Sequence, residues 1–189
     1  MYDFPLDYTI GNSAILEEMK TTKILGIQVQ SDLRWGTQVE QMIARASKTA
    51  WVLRRMRSLG VDKKTLVSFW KSVGRVHLET AAPVWHSSLT LAKKKSLERC
   101  QRVAMAAIVG YWAPSLTGLE RLADRREKLC ARFAAATVTK PRYKDIFEVD
   151  QISHPRPGKR SLLYRQPRAW TATYRKSTVP YLTRLLNNQ

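Results

Sequence analysis

Apolar and polar positions alternate in two distinct rhythms along this chain. Through residue 30 the pattern is that of strands. Tyr8-Thr9-Ile10 meets the turn signal Gly11-Asn12-Ser13, and Ala14 to Met19 follows, which predicts a hairpin. Lys23 to Val29 then reads as one further strand. From residue 35 the period becomes helical. Val39, Met42, Ile43, Ala46, Ala50 and Leu53 predict a first helix that Gly60 terminates. Asp62 caps a second, with Leu66, Phe69, Trp70, Val73 and His77 inward, bounded by Pro83. Leu97, Cys100, Ala104 and Ile108 mark a third, from about Leu91 to Ile108, with Gly110 and Pro114 beyond it. Ser115 is the expected cap of a fourth, reaching about Thr139, with Leu122, Leu129, Cys130 and Phe133 inward.

After Pro141 the rhythm dissolves. Residues 153–168 carry three prolines, a glycine and five basic side chains, the composition of a linker or arm. A short last helix is expected after Ser177, with Pro180, Leu182, Leu185 and Leu186. The fold class is therefore mainly α: a bundle of about four helices, a small N-terminal antiparallel hairpin, and an irregular C-terminal tail. Hydrophobic residues make up 44% of the chain, enough for a packed core. Cys100 and Cys130 fall on apolar helix faces and read as small core residues of a reducing compartment. No secretory signal and no run of about 20 apolar residues occurs, so an intracellular location, nuclear or cytoplasmic, and no membrane partner are expected.

Charge changes the picture. The formal net charge is +18, yet residues 1–30 hold two basic against four acidic side chains. Residues 31–139 hold 20 against 8, and residues 140–189 hold 11 against 3. A surplus of this size strains a compact fold and is relieved by binding a polyanion. At 100° per residue the cations fall into stripes. Arg45, Lys48 and Arg55 cluster on the first helix, with Trp51 near their edge, expected to pack on a second buried face, with stacking on a base or sugar the alternative. Lys95, Arg99 and Arg102 form a stripe on the third. Arg121, Arg125, Lys128 and Arg132 repeat on the fourth, and the stripes themselves contain almost no Glu or Asp. These ten residues are the candidate phosphate contacts, which position a protein on nucleic acid without reading sequence. In the tail, arginines and lysines alternate with Tyr164, Trp170 and Tyr174, a pattern suited to single strands.

Catalytic signatures are missing. There is no glycine-rich phosphate loop, no Cys-x-x-Cys or His-x-x-x-His spacing, and no clustered carboxylates beyond Glu17-Glu18, which strand alternation would point apart. No catalytic residue, metal, cofactor or small-molecule substrate is expected.

Several segments in order carry a resemblance. They are Thr22-Lys23-Ile24-Leu25-Gly26-Ile27, Asp32-Leu33-Arg34-Trp35, Leu53-Arg54-Arg55-Met56-Arg57, Ala82-Pro83-Val84-Trp85, and Leu97 to Ala104 (Leu-Glu-x-x-Gln-x-x-Ala). Arg125-Arg126, Pro180-Tyr181-Leu182 and Leu185-Leu186-Asn187 complete the series. Together they resemble the region after the catalytic palm in reverse transcriptases of non-LTR (LINE-like) retrotransposons. The tyrosine that usually precedes the family's Pro-x-Trp is missing, and so is the palm's Phe/Tyr-x-Asp-Asp motif. A segment like residues 24–60 also occurs at the front of an AlkB-type tRNA-modifying enzyme, whose iron-binding and methyl-transfer modules have no counterpart here.

The resemblance implies three parts. Residues 1–30 would be strands that follow the palm, residues 31–139 a thumb-like and post-thumb helical domain, and residues 140–189 a basic tail with a terminal helix. It implies a fragment of an RNA-directed DNA polymerase that is not an enzyme by itself. The expected partner is the backbone of an RNA–DNA or DNA duplex, with single strands reached through the tail. An inert retroelement fragment and a protein-interaction helical module are the alternatives.

Overall fold

A computed structural model describes residues 9–10, 14–15, 19–110, 117–147, 149 and 163–188. It is mainly helical, with small antiparallel pairings at the N-terminal side. Strand β1 (Thr9–Ile10) pairs with β2 (Ala14–Ile15), as the turn signal between them predicts. The expected single strand over residues 23–29 is instead a second hairpin, β3 (Thr21–Ile24) with β4 (Ile27–Gln30). Leu25 and Gly26 both adopt positive φ, 49° and 86°, which is the backbone of a tight two-residue hairpin turn. Leu25 therefore points into solvent.

That hairpin is fastened to α1 (Gly36–Ser58). The Gln28 amide donates to Gln38 Oε1 at 2.8 Å, and the Thr37 amide donates to Gln30 Oε1 at 3.2 Å. Trp35, in the left-handed region, offers no side-chain cap, so the strand supplies what the helix start lacks. Val39, Met42, Ala46, Ala50 and Leu53 are buried as the periodicity predicts.

Asp62 caps α2 (Lys63–Phe69), accepting from the Thr65 amide at 2.9 Å. The helix does not continue at 3.6 residues per turn. Trp70–Gly74 forms a wider π-turn before α3 (Arg75–Glu79). The extra residue shifts the inward face. Gly74 and Leu78 are buried, while Val73, expected inside, is exposed. Ala81 (φ 52°) breaks the chain into the one-turn α4 (Ala82–Trp85).

Thr90 caps α5 (Leu91–Val109), and Gly110 ends it at φ 82°. α5 lies beside α1 in the same direction: Lys93 Nζ donates to the Arg34 carbonyl at one end, and Arg57 Nη1 to the Ala107 carbonyl at the other. Its four expected core residues are all buried. α6 (Leu122–Val138) begins later than expected. Ser115 lies outside the described residues, and Arg121 occupies the cap position. Glu98 of α5 receives the Leu122 amide, and Gln101 Nε2 donates to the Glu120 carbonyl. Leu122 and Cys130 are buried and Leu129 half-buried. Phe133, expected inside, is 48% exposed, because Ala134 and Thr137 face inward at that level.

A 3₁₀ turn (Pro141–Ile146) follows. Among residues 163–188, α7 (Ala172–Arg175) leads into α8 (Thr178–Asn187), which packs on α6 and α4. Pro180 and Leu182 are buried there. The C-terminal segment is thus docked on the body over these residues. Most of the expected linker, residues 153–162, lies outside the described residues.

Candidate nucleic-acid interface

α1 has two chemically distinct sides. Buried residues occupy one. From Gln41 to Val61 the chain holds no acidic residue but five arginines and lysines. Arg45, Lys48, Arg54 and Arg55 are exposed, and none forms an ion pair among the described residues. Trp51, expected to pack inward, is 65% exposed among them. Helical geometry explains this: Trp51 projects roughly opposite Leu53, Met42 and Ala46.

On α5, Lys95, Arg99 and Arg102 are exposed. Arg54 and Arg57 of α1 and Val103, Ala106, Ala107 and Gly110 of α5 line a hollow of about 240 Å³ at the seam between the two helices. Arg99 stands one turn before Val103 on the same side of α5. Arg54 and Arg57 of α1 and the stripe of α5 therefore border one seam, while Arg45, Lys48 and Arg55 lie on the other flank of α1.

α6 is attached elsewhere. Glu98 and Gln101, which hold its start, lie roughly opposite Val103 on α5. Its stripe is also partly neutralised. Arg125 Nε lies 3.4 Å from Glu79 Oε1, and its Nη1 lies 3.8 Å from Glu120 Oε1. Glu79 is shared with Arg75 at 3.0 Å, and Lys128 binds Glu120. The Arg75 and Arg125 Nε atoms are not aligned for hydrogen bonds, so these contacts are ion pairs only. Lys128, an exposed partner, holds the Glu120 carboxyl below the usual range. Of the carboxylates that engage this stripe, Glu79 of α3 lies far from it in sequence, whereas Glu120 directly precedes Arg121. Arg121 and Arg132 are exposed.

Cations that the helical stripes left out also reach the surface. Lys63, Lys64 and Lys71 of α2 and the π-turn, with Val67, Ser68 and Thr117, line a hollow of about 490 Å³. Their signal in the sequence was spacing: residues 64, 68 and 71 share a face.

The interior holds a buried polar group. Arg126 is fully buried, and its Nε donates to His86 Nδ1 at 3.3 Å. Its Cζ lies 5.7 Å from the Trp85 ring centroid, and Nη1 and Nη2 have no hydrogen-bond partner. Burial, with Arg126 and Lys94 adding to it, lowers the His86 pKa to about 4. Burial also brings Arg126 down to about 10, so it stays charged at neutral pH. The Cys130 thiol is pushed up to about 12 and that of Cys100 is raised, both by burial. Neither is a nucleophile at neutral pH.

Among the described residues no group of His, Cys, Asp and Glu is placed to hold a metal ion, and no helix is long and apolar enough to cross a membrane. No family model, curated protein or solved structure matches this chain.

Proposed function

We propose that this chain is a thumb-like piece of a LINE-type reverse transcriptase that holds nucleic acid by its sugar–phosphate backbone, without sequence preference. It carries no polymerase centre of its own. The observation that supports this reading is the seam between α1 and α5. Exposed Arg54 and Arg57 of α1 line it on one side, and the Lys95, Arg99 and Arg102 stripe of α5 borders it on the other. Cations facing one another in this way suit phosphates, which take charge and hydrogen bonds from arginine and lysine. The ordered resemblance of residues 22–57 and 82–104 to the family's post-palm region supports the same assignment. In those polymerases a thumb helix lies along the minor groove of the template–primer duplex.

The test is binding of an RNA–DNA duplex followed by fluorescence anisotropy as salt is raised. Affinity falls steeply with salt, and the logarithmic slope shrinks by roughly one for each phosphate contact removed. Reversing Lys95, Arg99 and Arg102 to glutamate weakens binding equally for unrelated sequences. Salt-insensitive binding, or no binding at low salt, refutes the reading. Metal-dependent nucleotide incorporation by the purified chain would refute its second half.

A further inference from the structure

Trp51 is the large apolar side chain that the cationic face of α1 leaves in solvent. Exposure alone would not single it out, since Trp170 and Leu25 are more exposed. Its surroundings do. Taking 100° per residue, Lys48 lies one turn before it, Arg54 and Arg55 one turn after it on either flank, and Ser58 a turn further. Trp51, Arg54, Arg55 and Ser58 enclose a shallow hollow of about 370 Å³. Arg54 also lines the α1–α5 seam, so the hollow and the seam are continuous through one side chain.

We infer that Trp51, flanked by Lys48, Arg54 and Arg55, is a stacking platform for an unpaired base of a single-stranded nucleic acid. This rests on the backbone-binding reading above and adds a substrate class to it. An indole face takes any base, because every base has a π-face, and neighbouring cations hold the adjoining phosphates. A base stacked inside a duplex could not reach the ring. The site therefore favours a single strand, or an overhang leaving a duplex held at the seam.

Other occupants fit less well. A second copy of this chain would bring the same uncompensated cations onto the same face. Lying on an anionic membrane takes a broad apolar helix face. Here the indole stands with serines, Ser47 and Ser58, and charged neighbours.

The experiment compares a thymidine oligomer with an abasic oligomer of equal length, and so equal phosphate charge, for the full chain and for Trp51→Leu and Trp51→Phe. Circular dichroism verifies that both variants remain folded, as expected for a surface position. The full chain binds the base-bearing oligomer roughly tenfold more tightly than the abasic one. Trp51→Leu erases that preference and leaves abasic binding and its salt slope unchanged. Trp51→Phe keeps most of the preference. Equal binding of the two oligomers by the full chain, or a preference that survives Trp51→Leu, overturns the platform and leaves backbone binding standing. Failure to bind either oligomer at low salt overturns both readings. Trp51-dependent binding to phosphatidylserine vesicles without any preference between the oligomers assigns the face to lipid and also overturns the platform.

Discussion

The guanidinium of Arg126 donates its Nε hydrogen to Nδ1 of His86, so a buried cation rests on a neutral imidazole. The arrangement works only while His86 is unprotonated. In the unfolded chain His86 titrates near its ordinary 6.5, and in the fold near 4. Above pH 6.5 both states are neutral there, and stability is unaffected. As pH falls below 6.5 the unfolded state takes up a proton that the folded state refuses, so stability falls until about pH 4 and then levels. By linkage the loss reaches about 2 kcal/mol at pH 5. Urea unfolding between pH 7 and 5 measures it. His86→Asn keeps an acceptor near the Nδ1 position and removes the titration, so its stability stays flat across that window.

Arg126 itself is costly where it lies. Its two terminal nitrogens are buried without hydrogen-bond partners, and no carboxylate pairs with it within ion-pair distance among the described residues. Replacing a buried, poorly satisfied charge by an apolar side chain of similar length stabilises proteins in comparable settings. Arg126→Met is expected to raise unfolding stability by about 1–3 kcal/mol. A loss of that size in denaturant titrations would mean that the Trp85 ring contact outweighs desolvation.

Trp70 packs directly against Gly74. A Cβ placed on Gly74 would stand 2.1 Å from the Trp70 ring and 3.0 Å from Thr49. Trp70 is fully buried, so its ring has little room to yield. Gly74→Ala is expected to cost about 1–3 kcal/mol from overpacking. In a Trp70→Leu background the same alanine costs little, because the colliding atoms are gone. A double-mutant cycle reads the coupling directly.

These pairs explain which parts of the fold were legible in the sequence. The straight helices were: α1 and α5 repeat at the period of their own backbone, and Val39 through Leu53 and Leu97 through Ile108 are buried as that period requires. The π-turn was not. It adds a residue that no 3.6-residue template contains, and it moves Gly74 and Leu78 inward in place of Val73 and His77. Leu25 read as strand because its apolar character hid a turn that Gly26 makes possible. The ten candidate cations were legible as stripes, but their pairing was not, because Glu79 reaches Arg125 from 46 positions earlier in the chain. Trp51 was misread because an apolar type suggested an interior, whereas its angle on α1 already placed it outside.

Arg125 and Arg99 are expected to separate structure from binding. Arg125 bridges α6 to α3 through Glu79, with both side chains mostly buried. Arg125→Gln is expected to lower stability by about 1–2 kcal/mol and leave the salt slope of nucleic-acid binding unchanged. Arg99→Gln, at an exposed position, reverses the pattern: melting is unchanged and the slope falls by roughly one. Matching effects of the two variants on both readouts would make α6 part of the interface.

Asn187 holds the C-terminal segment by imitating a strand. Its Oδ1 accepts from the Tyr164 amide and its Nδ2 donates to the Tyr164 carbonyl, both at 2.9 Å. One side-chain amide thus satisfies both backbone groups of a residue that also bridges Val149. α8 carries Asn187 to this point and is anchored independently on α6 and α4 through Leu182 and Pro180. Asn187→Ala is therefore expected to release the Tyr164 segment without melting the bundle. Hydrogen exchange at the Tyr164 amide speeds up by roughly tenfold or more, consistent with loss of about 1–2 kcal/mol of local protection. Exchange in the core of α6 stays as it was. Asn187→Asp loses only the donor to the Tyr164 carbonyl and can still accept from the amide, so exchange there speeds up less than in Asn187→Ala. Uniform deprotection of α6 and α8 in either variant would show that the clamp supports the whole bundle rather than its last segment.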